Sequence, residues 1–179
     1  MKFYHIWLVL LFFLIIPVIH AGDTSPALNE NLKELAPFVG KTWRGVFSGS
    51  SADKPMIDIS RWERALNGNA VRILHSLNEG EYGGETIIIW DREKQKLIYF
   101  YFTTEGFYTR GTMEISNNQF TSHEYVTGNK NGITEVKAEG TIKEDGTLYS
   151  KSSYLQNGEW VDGHEVIYTE APEAEVNFR

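Results

Sequence analysis

What most limits the fold of this chain is its punctuation. From Lys41 onward, runs rich in Val, Ile, Thr, Tyr, Phe and Trp are cut at near-regular intervals by Asn67-Gly68, Gly83-Gly84, Glu105-Gly106, Asn117-Asn118, Asn131-Gly132, Asp145-Gly146 and Asn157-Gly158. Asn-Gly and Asp-Gly favour two-residue hairpin turns, because both central residues need positive φ and Gly, Asn and Asp reach it with least strain. The runs between them are strand-length and carry no helical period. The spacing predicts strands over 41–48, 55–66, 70–78, 85–91, 96–104, 107–116, 119–127, 133–144, 147–156 and 159–170. Links this short make neighbours in sequence antiparallel neighbours in the sheet. A meander of about ten strands accumulates twist and leaves two bare edges, and closing it on itself removes both. The expected fold is all-β, a single antiparallel up-and-down barrel. One short helix is predicted ahead of it over Asn29 to Ala36, where Leu28, Leu32 and Leu35 fall near helical spacing and Pro37 follows.

The first residues read as an address. Met1-Lys2 gives a positive start, Ile6 to Ile19 is apolar apart from Pro17, and His20-Ala21 precedes the polar Gly22-Asp23-Thr24-Ser25-Pro26. That order is the layout of a secretory leader, too short for a comfortable membrane span. The expected organisation is a signal peptide over 1–21 and one domain over 22–179, secreted or periplasmic, with no stable membrane anchor after cleavage. The chain has no cysteine, which excludes disulfides, a thiol nucleophile and thiolate metal ligands. Its formal charge of −7 argues against nucleic acid, whose phosphates need a basic patch.

Alternation sorts the strand faces. In the third strand Val71, Ile73, His75 and Leu77 share one side. In the eighth, Val136, Ala138, Gly140 and Ile142 oppose Glu135, Lys137, Glu139 and Lys143. The fourth and fifth strands, Ile87 to Trp90 and Leu97 to Phe102, are apolar on both sides. An outer apolar face asks for a cover; the leading helix is one candidate, and a homodimer through the outer face of residues 85–104 is the other.

Pro37-Phe38-Val39-Gly40-Lys41-Thr42-Trp43-Arg44-Gly45 follows the helix and opens the first strand. It resembles the opening of the lipocalins and their calycin relatives, with Gly-x-x-Trp in place of the lipocalin Gly-x-Trp. Trp62-Glu63, Asn67-Gly68, Trp90-Asp91 and the close hairpins resemble bacterial lipocalin-like families of unassigned function. The resemblance implies a calycin-like barrel with Trp43 plugging a closed end, and a family that includes both ligand binders and enzymes. Fatty-acid-binding relatives hold a carboxylate with Arg-x-Tyr in the last strand, whereas this chain has His164-Glu165-Val166-Ile167-Tyr168. In haem-binding relatives a histidine lies near the C-terminus; His164 is the candidate, but the sequence around it does not match. No cofactor is expected.

Three histidines follow the leader: His75, His123 and His164. Each could point inward, alongside Val71 and Ile73, Tyr125, and Trp160 and Val166 respectively. Three converging imidazoles would suit zinc, yet no short-spaced pair supports that, so no metal is expected. Asp58, Glu124 and Glu165 share faces with apolar residues, and Arg61, Arg72 and Arg110 could neutralise them. Tyr99, Tyr101, Tyr108, Tyr125, Tyr149, Tyr154 and Tyr168, with Trp62, Trp90 and Trp160, supply rings with a polar handle, suited to a pocket or to cross-strand pairing. Glu170, Glu173 and Glu175 read as a solvated tail. The expected function is binding of a small hydrophobic or aromatic molecule without catalysis, with His75, Tyr99, Tyr101, His123, Tyr125, Tyr154 and His164 as candidate ligand-binding residues. The alternatives are an enzyme using His75, His123 or Glu165 as acid or base, and a structural protein that meets a partner through its fourth and fifth strands.

Overall fold

Ten strands run antiparallel, each paired with its neighbours in sequence, and β1 (Lys41–Phe47) pairs with β10 (Glu159–Glu170) to close the ring. The others are β2 (Ile57–Ala65), β3 (Ala70–Leu77), β4 (Tyr82–Asp91), β5 (Lys96–Thr103), β6 (Tyr108–Ser116), β7 (Gln119–Thr127), β8 (Ile133–Ile142) and β9 (Leu148–Gln156). This computed structural model describes residues 27–179; the leader over 1–21 and its cut after Ala21 lie outside the described residues. The turns obey the chemistry of their residues: Asn117 and Asn118 have φ of 50° and 62°, and Asn157 and Gly158 have 54° and 88°, the paired positive values of a tight hairpin.

One turn is misplaced by the sequence reading. Gly83 and Gly84 lie inside β4, opposite Ser76 and His75, and the chain turns earlier, at Asn78 and Glu79 with φ of 46° and 58°. These glycines are there for space. A Cβ on Gly84 would collide with the carbonyl of Phe102 and lie 2.5 Å from the Tyr101 ring, so the position tolerates only a bare backbone.

The predicted leading helix forms as a 3₁₀ turn, Glu30–Leu35. Asn29 caps it, accepting from the Asn31 N–H at 3.1 Å, which satisfies a donor that the first turn leaves free. It does not lie over the outer face of β4 and β5. Leu32 and Leu35 join Phe38, Trp43, Trp62, Val71, Ile88, Leu97, Tyr99, Met113, Phe120 and Leu148 in the buried core. The helix therefore stoppers one end of the barrel. Phe38 stacks on Trp62 at 5.2 Å and meets Phe120 edge-on at 5.8 Å. Burying side chains of this size contributes about 1.5–3 kcal/mol each, and Leu35, Phe38 and Trp43 are fully inaccessible.

The chain beyond β10 does not float free. Ala171 N–H donates to Thr42 O and Asn177 N–H to Ser76 Oγ, so the last residues cross the outer face of β1 to β3. Ser76 and Leu74, both outward by alternation, are accordingly 2% and 5% exposed. Glu173 and Glu175 are exposed as expected, while Ala171, Ala174 and Val176 are half-buried. On the opposite wall Phe100, Phe102 and Tyr108 are 37%, 51% and 43% exposed and form a ladder with centroid spacings of 6.5 and 6.4 Å.

Candidate functional site

Above the plug, the barrel interior opens into a cavity of about 420 Å³, within the range of small-molecule pockets. Its walls are built by a recurring device. A Cβ on Gly45 would collide with the Tyr168 ring, and one on Gly111 would lie 2.7 Å from the ring of Tyr99. Tyr168 faces Gly45 directly across the β1–β10 pair, and Tyr99 faces Gly111 across β5–β6. Phe120 and Gly140 repeat the pairing lower down. Each ring thus lies over a neighbouring strand that has no side chain there, and the two tyrosines carry their hydroxyls into the lumen.

The Tyr168 hydroxyl joins a chain of hydrogen bonds. Asp58 on β2 is 4% exposed and is met on one oxygen by His75 Nδ1 at 2.8 Å and on the other by the donating Tyr168 hydroxyl at 3.0 Å. His75 Nε2 is 2.7 Å from the Tyr101 hydroxyl, which is 2.9 Å from that of Tyr82. With Asp58 ionised, Nδ1 carries a proton. The remaining link has two arrangements: neutral His75 accepts from Tyr101, or cationic His75 donates to Tyr101, which then donates to Tyr82. Burial pushes the phenols of Tyr82, Tyr99, Tyr101, Tyr154 and Tyr168 up, so all five remain protonated hydrogen-bonding groups.

A second polar centre lies on another wall. Glu124 on β7 accepts from Thr109 Oγ1 at 2.6 Å. Desolvation pushes its carboxyl above the ordinary range, and hydrogen bonds from Thr109 and Tyr99 offset that in part. The sign of the consequence follows. The folded chain holds a proton that the unfolded chain releases, so this group's contribution falls as pH rises from the ordinary carboxyl range through the raised pKa. Glu124→Gln is therefore expected to gain stability relative to wild type between pH 5 and pH 8, read as urea midpoints at the two pH values; an unchanged difference would show that burial is not what moves this carboxyl.

Five of the sequence candidates line the cavity: His75, Tyr99, Tyr101, Tyr154 and His164. His164 sits at the mouth, its outer edge open to solvent, with its ring 4.8 Å from that of Phe47 and bonded through Nδ1 to the Tyr154 hydroxyl. Desolvation of the inner part of the ring pushes its imidazole down, against the pull of Asp58. His123 and Tyr125 are on the outside. Phe120 packs into the plug and fixes the parity of β7, so Glu124 and Val126 face the lumen. His123 is bonded to Glu135 at 2.6 Å beside Trp160, and Tyr125 is 51% exposed. Trp160 is outward too, because the β9–β10 register slips between Asp162 and Glu165. This bulge reverses the alternation, leaving His164 inward with Val166. Gly163 permits it, since a Cβ there would crowd the carbonyl of Ser152 at 2.8 Å.

The three histidines consequently do not converge, and among the described residues no group of three or more His, Asp or Glu is placed to hold a metal ion. Nor do arginines neutralise the inner carboxyls. Arg61 and Arg72 form a half-exposed outer ladder with Glu63 and Glu85, Arg110 is exposed, and Glu165 lies outside beside Lys151 at 3.5 Å. Sequence reasoning missed Tyr82 and Thr109 as cavity residues; an inward glycine opposite a tyrosine was the available signal for the ring walls.

No family model matches the chain, and no curated protein matches it. Among solved structures it is similar to the crystal structure of Rv2717c from M. tuberculosis, at 12% identity and a TM-score of 0.58, over 80% of this chain and 99% of that one. The likeness is one of fold. What the chain does must be argued from its own cavity.

Proposed function

We propose that this chain is an exported, calycin-like barrel that holds a small apolar or aromatic molecule in its lumen. The observation that carries the reading is the cavity of about 420 Å³ above a fully packed plug, walled by tyrosine rings whose hydroxyls are tied into a fixed array. Such walls bury ligand surface while the polar tips set its orientation. Binding is favoured over acid–base catalysis by the state of His75. Both ring nitrogens are engaged, Nδ1 by Asp58 and Nε2 by Tyr101, so no free lone pair faces the lumen, and His123 and Glu165 lie outside it.

The test is a titration of the purified barrel with N-phenyl-1-naphthylamine, a neutral aromatic probe that brightens in apolar surroundings. Saturable binding of one probe per barrel is expected. Thr86→Trp, which fills lumen space from β4, is expected to abolish it while the far-ultraviolet circular dichroism stays that of the wild type. Absence of saturable binding to the wild-type barrel would overturn the reading.

A further inference from the structure

The cavity is unusual in the charge it can present. Among the described residues it is lined by two carboxyl groups, Asp58 and Glu124, and by no lysine or arginine. His75 is bonded to Asp58 and so answers one carboxylate locally. Among the described residues Glu124 has no cationic partner: its neighbours are neutral hydroxyls, Thr109 donating to Oε2 at 2.6 Å and the Tyr99 phenol beside it. We infer that the molecule held here is an organic cation, a planar apolar body carrying a protonated or quaternary nitrogen that is set against Glu124 and the tyrosine faces. This rests on the binding reading above and narrows it to one class of ligand.

Three features support that class over an anion or a neutral molecule. An anion would find no fixed positive group and would face Glu124 directly. The walls are lined by the rings of Tyr82, Tyr99, Tyr101 and Tyr154, and a cation over an aromatic ring is attracted by its quadrupole most strongly where water is excluded. The chain as a whole carries a formal charge of −7, which raises the local concentration of cations and speeds their arrival.

Glu124 also couples binding to protons. Desolvation pushes its carboxyl above the ordinary range. A bound ammonium favours the carboxylate, so binding expels that proton and affinity rises with pH. The groups facing Glu124 from the packed strands are the Tyr99 phenol, the Thr109 hydroxyl and the Tyr154 phenol, with His123 behind the wall on the outer face. Elsewhere the imidazoles of His75 and His164 also line the lumen, and positive charge on either opposes a bound cation. Comparison with Glu124→Gln isolates the part that belongs to Glu124.

The experiment measures tryptamine, tryptophol and indole-3-acetate, which share one ring system and differ in charge, by calorimetry and by displacement of N-phenyl-1-naphthylamine from the wild-type barrel. Tryptamine is expected to bind about tenfold more tightly than tryptophol, the size of a desolvated cation–π and carboxylate contact, with indole-3-acetate weakest. Tryptamine affinity is expected to rise from pH 5 to pH 8 and to release protons. Glu124→Gln should bring tryptamine down to the level of tryptophol and leave tryptophol unchanged. If the naphthylamine saturates but tryptamine displaces it no better than indole-3-acetate does, the cation assignment is overturned and the binding reading stands. If neither the naphthylamine nor any of the three indoles binds, both fall.

Discussion

Trp43→Ala is expected to remove about 3–5 kcal/mol of unfolding free energy, the range for deleting a fully buried large aromatic, and to lower the melting temperature by on the order of 10 °C. The size follows from position. Trp43 is completely inaccessible at the stoppered end, where β1 pairs with both β2 and β10, and it shares a core with the leading helix and with Phe38 and Trp62. The hole left behind would be ringed by strand backbone already fixed in two ladders, which cannot easily collapse into it. Trp43→Phe is expected to cost much less, because it keeps most of the ring and removes an indole N–H that is buried without a partner. Denaturant unfolding of the two variants checks this. Equal losses would mean that the indole nitrogen matters and the volume does not.

Gly45→Val is expected to destabilise by a similar amount, for the opposite reason. A Cβ there would collide with the Tyr168 ring and would lie 2.5 Å from Val166, and both are locked against β1 by the closing strand pair. Overpacking costs about 1–3 kcal/mol. Displacing Tyr168 adds the loss of its bond to the Asp58 carboxylate, about 1.5–3 kcal/mol for a hydrogen bond to a charged group. The decisive measurement is a double-mutant cycle. Tyr168→Ala makes room for the new side chain, so Gly45→Val with Tyr168→Ala should be more stable than the sum of the two single losses. Strict additivity would show that the ring and the glycine do not share one space.

The difference between what was legible in the sequence and what was not follows the range of the interaction concerned. Hairpin turns are local, and Asn117-Asn118 and Asn157-Gly158 announce their own geometry, so the meander and its closure could be read directly. A leucine pattern fixed the existence of the leading helix, but its destination depends on what the barrel leaves unfilled, and Leu32 and Leu35 go into the end instead of over the side. Gly83 and Gly84 read as a turn because a glycine needed for positive φ and a glycine needed for close approach look identical in a sequence. Alternation failed at two places for physical reasons. In β10 the bulge at Gly163 inverts the parity, and the interior glycine that marks it is the same residue type that elsewhere marks a turn or a close approach. In β7 both faces mix rings with polar groups, Phe120 and Glu124 on one and His123 and Tyr125 on the other, and only the packing of Phe120 into the plug decides which faces the lumen. The cavity's hydrogen-bond array joins β2, β3, β4, β5 and β10, and only the three-dimensional register brings Asp58, His75, Tyr82, Tyr101 and Tyr168 together.

The stopper has a kinetic corollary. With one end filled by Leu32, Leu35, Phe38 and Trp43, a solute in the lumen must leave by the open end, where Phe47, Met56 and His164 line one side and Phe107, Asn129 and Ile133 another. Detailed balance then requires that a rim substitution leaving the occupied state untouched multiply arrival and departure rates by one common factor. Bulk at Met56 would alter dwell time without altering the dissociation constant, in contrast to the usual pattern in which affinity is tuned through the off-rate alone. Entry and exit through a single mouth are then two directions of one path.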